Sequence, residues 1–241
     1  VNNAYGLANI EKSEQIRPTT VFAVGSISKQ FTAISILNLH EQGKLNILDA
    51  ISLYLPNIPG EYSSITIEQL LSHTSGIIDV FDLPDIMERL EQQLSKEEIL
   101  TLLSDYHLGF EPGTSYRYSG FGYILLGYII EEVSGESYAE YLNKEIFQAL
   151  EMKTAGYGYP QNDNLLANGY FQSEEGFFPA GKISLSLLFS AGGLFMSTED
   201  LHKWITGLRS GKMISSESLI QAWSPSHTSS KEELECGYGW D

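Results

Sequence analysis

Hydrophobic positions along the chain recur mostly at helical spacing. Between residues 26 and 42, Phe31, Ala33, Ile34, Ile36, Leu37 and Leu39 occupy more than half of a helical surface, which predicts a deeply buried helix. Gly43 follows where a left-handed residue stops a helix. From 120 to 134, Phe121, Ile124, Leu125, Tyr128, Ile129 and Val133 share one stripe, and Gly135 ends it. Thr66 with Gln69, Ser95 with Glu98, and Ser137 with Glu140 have the spacing of capping boxes, and Ser197 is the expected cap of a helix over 198–208. Strand signals are fewer. Residues 21–24 form a short β-prone run, and Gly-Tyr-Gly-Trp at 237–240 reads as the start of another strand. The stretch 156–168, rich in Gly, Asn and Tyr, predicts a long loop at the rim of a site. Helices thus fill the middle, and strand-forming material lies towards the ends. The pattern is α+β, with residues 1–25 and 190–241 as parts of a sheet domain and 26–189 as a mainly helical region inserted into it.

Composition narrows the partners. The 241 residues suit one large domain, or two sharing a core. Fourteen basic against 31 acidic residues give a net charge of −17, a surface that repels phosphate backbones and anionic lipid heads, so no nucleic-acid partner is expected. No apolar run reaches the length of a membrane span. The single Cys236 excludes an internal disulfide framework and a Cys-rich zinc site, and the five histidines lack metal-ligand spacing. Neither metal nor cofactor is implied. Val1 is not an initiator Met and no leader follows it, so the chain is expected to begin inside a longer product or after a processed segment.

The candidate chemistry starts at Ser26-Ile-Ser-Lys29, at the mouth of the first buried helix. Residues i and i+3 share a helical face, which brings the lysine amine within reach of the serine hydroxyl, and the helix N-terminus favours negative charge on that oxygen by ~0.3–1 kcal/mol. A lysine at an ordinary pKa near 10.4 needs ~4.6 kcal/mol to shed its proton at pH 7, so a base role requires a special environment. The motif alone is uninformative. With 10 Lys and 28 Ser in the chain, about 1.2 Ser-x-x-Lys matches are expected by chance, and its bland reading is a cap plus a surface lysine. Context decides. The motif stands in Phe22-Ala-Val-Gly-Ser-Ile-Ser-Lys-Gln-Phe-Thr-Ala, a strand, a glycine turn and a buried helix. Leu70-Leu-Ser-His-Thr-Ser-Gly follows, then Tyr116-Arg-Tyr-Ser-Gly-Phe-Gly-Tyr, then Ser190-Ala-Gly-Gly-Leu-Phe-Met-Ser-Thr-Glu-Asp-Leu. An α/β-hydrolase would need Gly-x-Ser-x-Gly, and the nearest match, Gly135-Glu-Ser-Tyr-Ala, is better explained by Ser137 as a cap.

Four segments in this order resemble the bacterial serine β-lactamase and penicillin-binding-protein superfamily, in particular its class C branch with related esterases and D-peptidases. The resemblance runs from Ala4-Tyr-Gly-Leu-Ala to Tyr238-Gly-Trp. It implies a transpeptidase-like fold, an antiparallel sheet flanked by helices with an inserted helical region, the sheet incomplete in this chain. It also implies that Ser26 is the acylated nucleophile, Lys29 its activator, and Tyr118 the tyrosine of Tyr-x-Asn that carries protons to and from the leaving group. The Ser26 N–H would be one of two oxyanion donors. Tyr116 and Gly120 are the expected substrate contacts. Tyr123 is expected to pack, Arg117 to be a solvated charge, and His73 a hydrogen-bonded scaffold residue.

Two features depart from the family pattern. Gly120 stands where Asn is usual, which weakens the case for β-lactam hydrolysis more than that for ester hydrolysis. The third motif, Lys or His followed by Thr or Ser and Gly, has no match, and the chain is expected to be a family member cut at both ends. Losing the oxyanion donor of that strand typically costs ~2.7–4 kcal/mol. The expected function is a serine hydrolase forming an acyl-enzyme with a β-lactam, D-peptide or small ester, D-alanyl carboxypeptidase activity included. The alternative is a non-catalytic binding or regulatory relative, or an inactive fragment. The family implies a periplasmic or extracellular location and a small-molecule or peptide substrate.

Overall fold

The computed structural model describes residues 3–84, 86–160 and 165–240. Its first strands, β1 (Leu7–Asn9) and β2 (Glu14–Gln15), pair as a short antiparallel ribbon. β3 (Phe22–Ala23) then leads through a tight turn, Gly25–Ile27, into α1 (Ser28–Glu41). There follow α2 (Ile67–Leu71), α3 (Lys96–Ser104), α4 (Gly120–Ser134) and α5 (Tyr138–Leu142), which runs on into a π-type turn over Asn143–Phe147. β4 (Gly156–Tyr157) precedes the hairpin β5 (Tyr170–Ser173) and β6 (Gly176–Pro179). The chain closes with α6 (Leu185–Gly192), β7 (Leu194–Met196), α7 (Thr198–Arg209) and α8 (Ser216–Trp223). In the central sheet β7 lies between β3 and β4, antiparallel to both, with Ala23 and Gly156 each opposite Phe195.

α1 is the axis of the molecule. Phe31, Ala33, Ile34, Ile36, Leu37 and Leu39 are buried, as their spacing predicts. Its polar residues Ser28, Lys29, Thr32 and Ser35 are buried too, and such groups are tolerable only when hydrogen-bonded. Ser28 Oγ accepts from the Leu194 N–H (3.2 Å), Thr32 Oγ1 donates to the Ser190 carbonyl (2.7 Å), and Ser35 Oγ turns back to the Phe31 carbonyl (2.8 Å). The first two of these bonds fasten α1 to β7 and α6. On another face Trp204 of α7 stacks on Phe31, with centroids 4.0 Å apart, and its indole N–H donates to Gln30 Oε1.

α4 packs across α1 and α6 at close range. A Cβ on Gly127 would fall 2.1 Å from Ser190 Oγ, so this approach requires glycine. α6 is broken at Phe189, whose φ of +26° and ψ of −126° are unusual for a residue with a side chain and cost about 1–3 kcal/mol. The break directs the Ser190 and Ala191 carbonyls onto α1 side chains, and those hydrogen bonds offset part of the strain.

All three capping boxes form, and Ser119 and Ser197 cap α4 and α7. Gly43 and Gly135 take left-handed φ values of 67° and 73° behind α1 and α4. The strand expected at 237–240 is not formed. There the Gly237 N–H closes a turn onto the Trp240 carbonyl (2.7 Å) and Gly239 is left-handed, because the run must fit between α8 and the start of α1. A Cβ on Gly237 would fall 2.2 Å from the Ala222 carbonyl oxygen, and one on Gly239 2.8 Å from that of Lys29. The loop expected over 156–168 begins instead as β4, and its residues 161–164 lie outside the described ones. β4, β5 and β6 all fall within the stretch expected to be mainly helical.

Candidate active site

Ser26 sits in the turn between β3 and α1, exposed, with Gly25 supplying the positive φ (+51°) that swings the chain from strand to helix. One helical turn on, Lys29 is buried at 4% exposure, and its Nζ donates to Ser26 Oγ (3.2 Å) and to the Ala191 carbonyl (2.9 Å). Tyr118, 92 residues further along the chain, shares a 2.7 Å hydrogen bond between its hydroxyl and Ser26 Oγ. The Lys29 amine also lies over the faces of Tyr118 and Tyr123, 4.8 and 5.6 Å from their centroids. A serine oxygen flanked in this way by an amine and a phenol can give up its proton while it attacks a carbonyl.

Tyr118 is held from behind. The His73 ring stacks on it (centroids 4.6 Å, planes 29° apart), and His73 Nδ1 accepts from the Ser119 N–H (3.1 Å). That acceptor role places the proton of the neutral ring on Nε2. Burial, and then the charge on Lys29, push the His73 pKa down to about 3, so the ring is neutral at pH 7. The Arg117 N–H donates to the His73 carbonyl, and its guanidinium forms a surface pair with Asp82 (2.9 Å).

The structure brings Ser26, Lys29 and Tyr118 together, but not every predicted contact joins them. Tyr116 is 40% exposed and meets the edge of His73 at 6.1 Å. Gly120 is buried as the first residue of α4, and its N–H donates to Asp79 Oδ2. A Cβ at 120 would stand 3.1 Å from that same oxygen, so the Asp79 carboxylate fills the space towards which a side chain at 120 would start. Asp79 also receives the Phe81 N–H (2.9 Å). Neither Asp79 nor the Ala191 carbonyl is flagged by any spacing in the sequence, since both reach the site through packing.

The sequence profile of the family described as Beta-lactamase matches residues 1–241. The chain belongs to the beta-lactamase family. It is 33% identical over 229 residues to PbpX of Bacillus subtilis (strain 168), provisionally named a penicillin-binding protein, covering 95% of this chain and 56% of that one. It is 32% identical to Protein flp of Staphylococcus aureus (strain MW2), with 85% and 42% covered. The chain therefore spans about half the length of the curated relatives it matches. Among solved structures, the penicillin-binding protein from Bacillus halodurans superposes with a TM-score of 0.84 at 29% identity, over 98% of this chain and 73% of that one. EstCE1, a hydrolase with promiscuous acyltransferase activity, superposes with a TM-score of 0.83 at 24% identity, over 98% and 73%. The chain has the β-lactamase and transpeptidase fold, and the family is one of serine hydrolases. No helix among the described residues is long and apolar enough to cross a membrane, and none of their His, Cys, Asp and Glu side chains cluster as metal ligands.

Proposed function

We propose that this chain is a serine hydrolase of the β-lactamase and penicillin-binding type, acting through an acyl-enzyme on a β-lactam, D-peptide or small ester. The observation that carries the reading is an exposed Ser26 Oγ hydrogen-bonded at once to Tyr118 and to buried Lys29. Ser26 Oγ attacks the substrate carbonyl carbon, and its proton passes to the Lys29–Tyr118 pair. The Ser26 N–H helps hold the developing oxyanion. The C–N or C–O bond then breaks, and the leaving group takes the proton through Tyr118. Water attacks the resulting ester, releases the acid and returns a proton to Ser26.

The test is intact mass spectrometry after incubation with benzylpenicillin, beside hydrolysis of benzylpenicillin and of a short p-nitrophenyl ester. An adduct of one drug mass on the parent chain, absent from Ser26→Ala, is expected, with Tyr118→Phe acylating about 10²–10⁴-fold more slowly. Absence of both adduct and hydrolysis overturns the reading for this chain. That outcome favours a second reading, a non-catalytic relative that keeps the fold for binding or regulation. The observation behind it is the buried Gly120 with the Asp79 carboxylate against it, where the family pattern places an asparagine.

A further inference from the structure

A lysine side chain is long and flexible, so an amine kept 3.2 Å from Ser26 Oγ needs a second fixed point. The Ala191 carbonyl supplies one, at 2.9 Å from Lys29 Nζ. That carbonyl belongs to the broken turn of α6, where Phe189 takes φ +26° and ψ −126°. A backbone in so sparsely populated a region persists only where its surroundings hold it. Whatever holds this turn therefore bears on where the Lys29 amine sits.

Two buried residues beyond the catalytic trio hold it. Thr32 lies three residues on from Lys29, on the same face of α1, and its Oγ1 donates to the Ser190 carbonyl (2.7 Å). Lys29 and Thr32 thus grip successive carbonyls of the turn. The Tyr138 hydroxyl lies 2.8 Å from Thr32 Oγ1. A threonine hydroxyl has one proton, and Ser190 receives it, the Ser28 carbonyl being farther off at 3.4 Å. Tyr138 is therefore the donor in its own bond to Thr32. Burial pushes the Tyr138 phenol above its ordinary pKa of 10, so it keeps the proton that it gives. Tyr138 meets the turn a second time, its ring against that of Phe189 with centroids 5.2 Å apart. Ring and hydroxyl together brace both residues at the break.

We propose that Thr32 and Tyr138 are positioning residues for acylation: by fixing the Ser190 carbonyl they hold the turn that presents the Ala191 carbonyl to Lys29. Both act through the turn rather than on the reacting atoms. The inference rests on the reading of Ser26 as nucleophile and Lys29 as its activator. The Ser190 side chain is anchored separately, on the Tyr123 carbonyl (2.7 Å), so losing the Thr32 bond frees the peptide plane without freeing the residue. A purely scaffolding role predicts lost stability alone. Positioning predicts that the Lys29 amine itself responds to the Thr32 hydroxyl. The titratable groups facing that amine are Tyr118, Tyr123 and His73, and the substitutions below leave all three in place.

The test compares the parent chain with Thr32→Val, Thr32→Ser and Tyr138→Phe, following acylation by benzylpenicillin over time and drug concentration. Thr32→Val keeps the side chain's shape and loses its hydroxyl. It should slow the acylation step about 10–100-fold, with little change in the drug concentration that half-saturates it. Tyr138→Phe should slow that step about three- to ten-fold, and Thr32→Ser should stay within about two-fold of the parent. In parallel, NMR of isotopically labelled lysine follows the Lys29 amine, its signal assigned with Lys29→Arg. Losing an acceptor disfavours the charged amine, so its titration midpoint should fall by about half to one pH unit in Thr32→Val but not in Thr32→Ser. Should Thr32→Val fail to fold, Tyr138→Phe carries both comparisons. A parent that is never acylated overturns the reading of Ser26, and the Lys29 titration alone then decides this proposal. The proposal is overturned if Thr32→Val acylates as fast as an active parent, if it leaves the Lys29 midpoint unchanged, or if Thr32→Ser behaves as Thr32→Val does.

Discussion

His73 carries two burdens at once. Its φ is +57°, in the left-handed region, and its ring is buried against Tyr118 and Tyr123. The imidazole has a pKa of about 3 in the folded chain against an ordinary 6.5, so between those values the unfolded chain binds a proton that the folded one refuses. The stability this contributes is complete above pH 6.5 and is lost as pH falls towards 3. From pH 7 to pH 4 the loss is about 3 kcal/mol. Urea unfolding across that range should show it, and His73→Gln, weaker at pH 7, should lack this part of the slope. Equal slopes would mean that His73 is hydrated in a way its burial does not suggest. Within the sequence the Thr-Ser-Gly turn marked His73 as scaffold, but nothing in the residue string set its ring against Tyr118.

At the scale of elements, the contact that matters is α4 against α6. Gly127 lies in mid-helix, where glycine costs about 1 kcal/mol relative to alanine by propensity alone. Packing reverses that preference. An added Cβ would stand 2.1 Å from Ser190 Oγ, 2.6 Å from Ser190 Cβ and 2.7 Å from Phe189 Cε1. Gly127→Ala is therefore expected to lose about 1–3 kcal/mol, which lowers Tm by roughly 2–12 °C for a chain of this size. It should also slow acylation, because residues 190 and 191 supply the carbonyls that hold Thr32 and Lys29. Calorimetry and adduct formation on the same sample check both. An unchanged Tm would show that the broken turn at Phe189 relaxes without cost. The capping boxes, by contrast, were legible in the sequence because each is settled within four residues.

Over the whole molecule, the net charge of −17 makes a long-range field that opposes anionic substrates. The screening length falls from about 30 Å at 0.01 M salt to about 8 Å at 0.15 M. Acylation of Ser26 by benzylpenicillin, a carboxylate, should therefore speed up as salt rises through that range, measured as the second-order rate of adduct formation. A rate that falls with salt would show that nearby cations, Arg117 at the surface or Lys29 beneath it, outweigh the global field.

By itself the sequence determined α1 and α4, their glycine stops, the caps of four helices and the order of segments that marks the family. These rest on interactions between residues close together in the chain, or on types recurring in a fixed order. The α+β class was legible, but its small strands were not: β4 is two residues long and exists only because Leu194 and Phe195 lie opposite it. The turn at 237–240 likewise depends on backbone atoms of Ala222 and Lys29 that leave no room for side chains. Tertiary structure alone decided that Tyr118 meets Ser26, that Asp79 stands against Gly120, and that the Ser226 hydroxyl is left without a partner. Such contacts join segments far apart in the chain, and the packing of the intervening elements, rather than any local propensity, sets their distances.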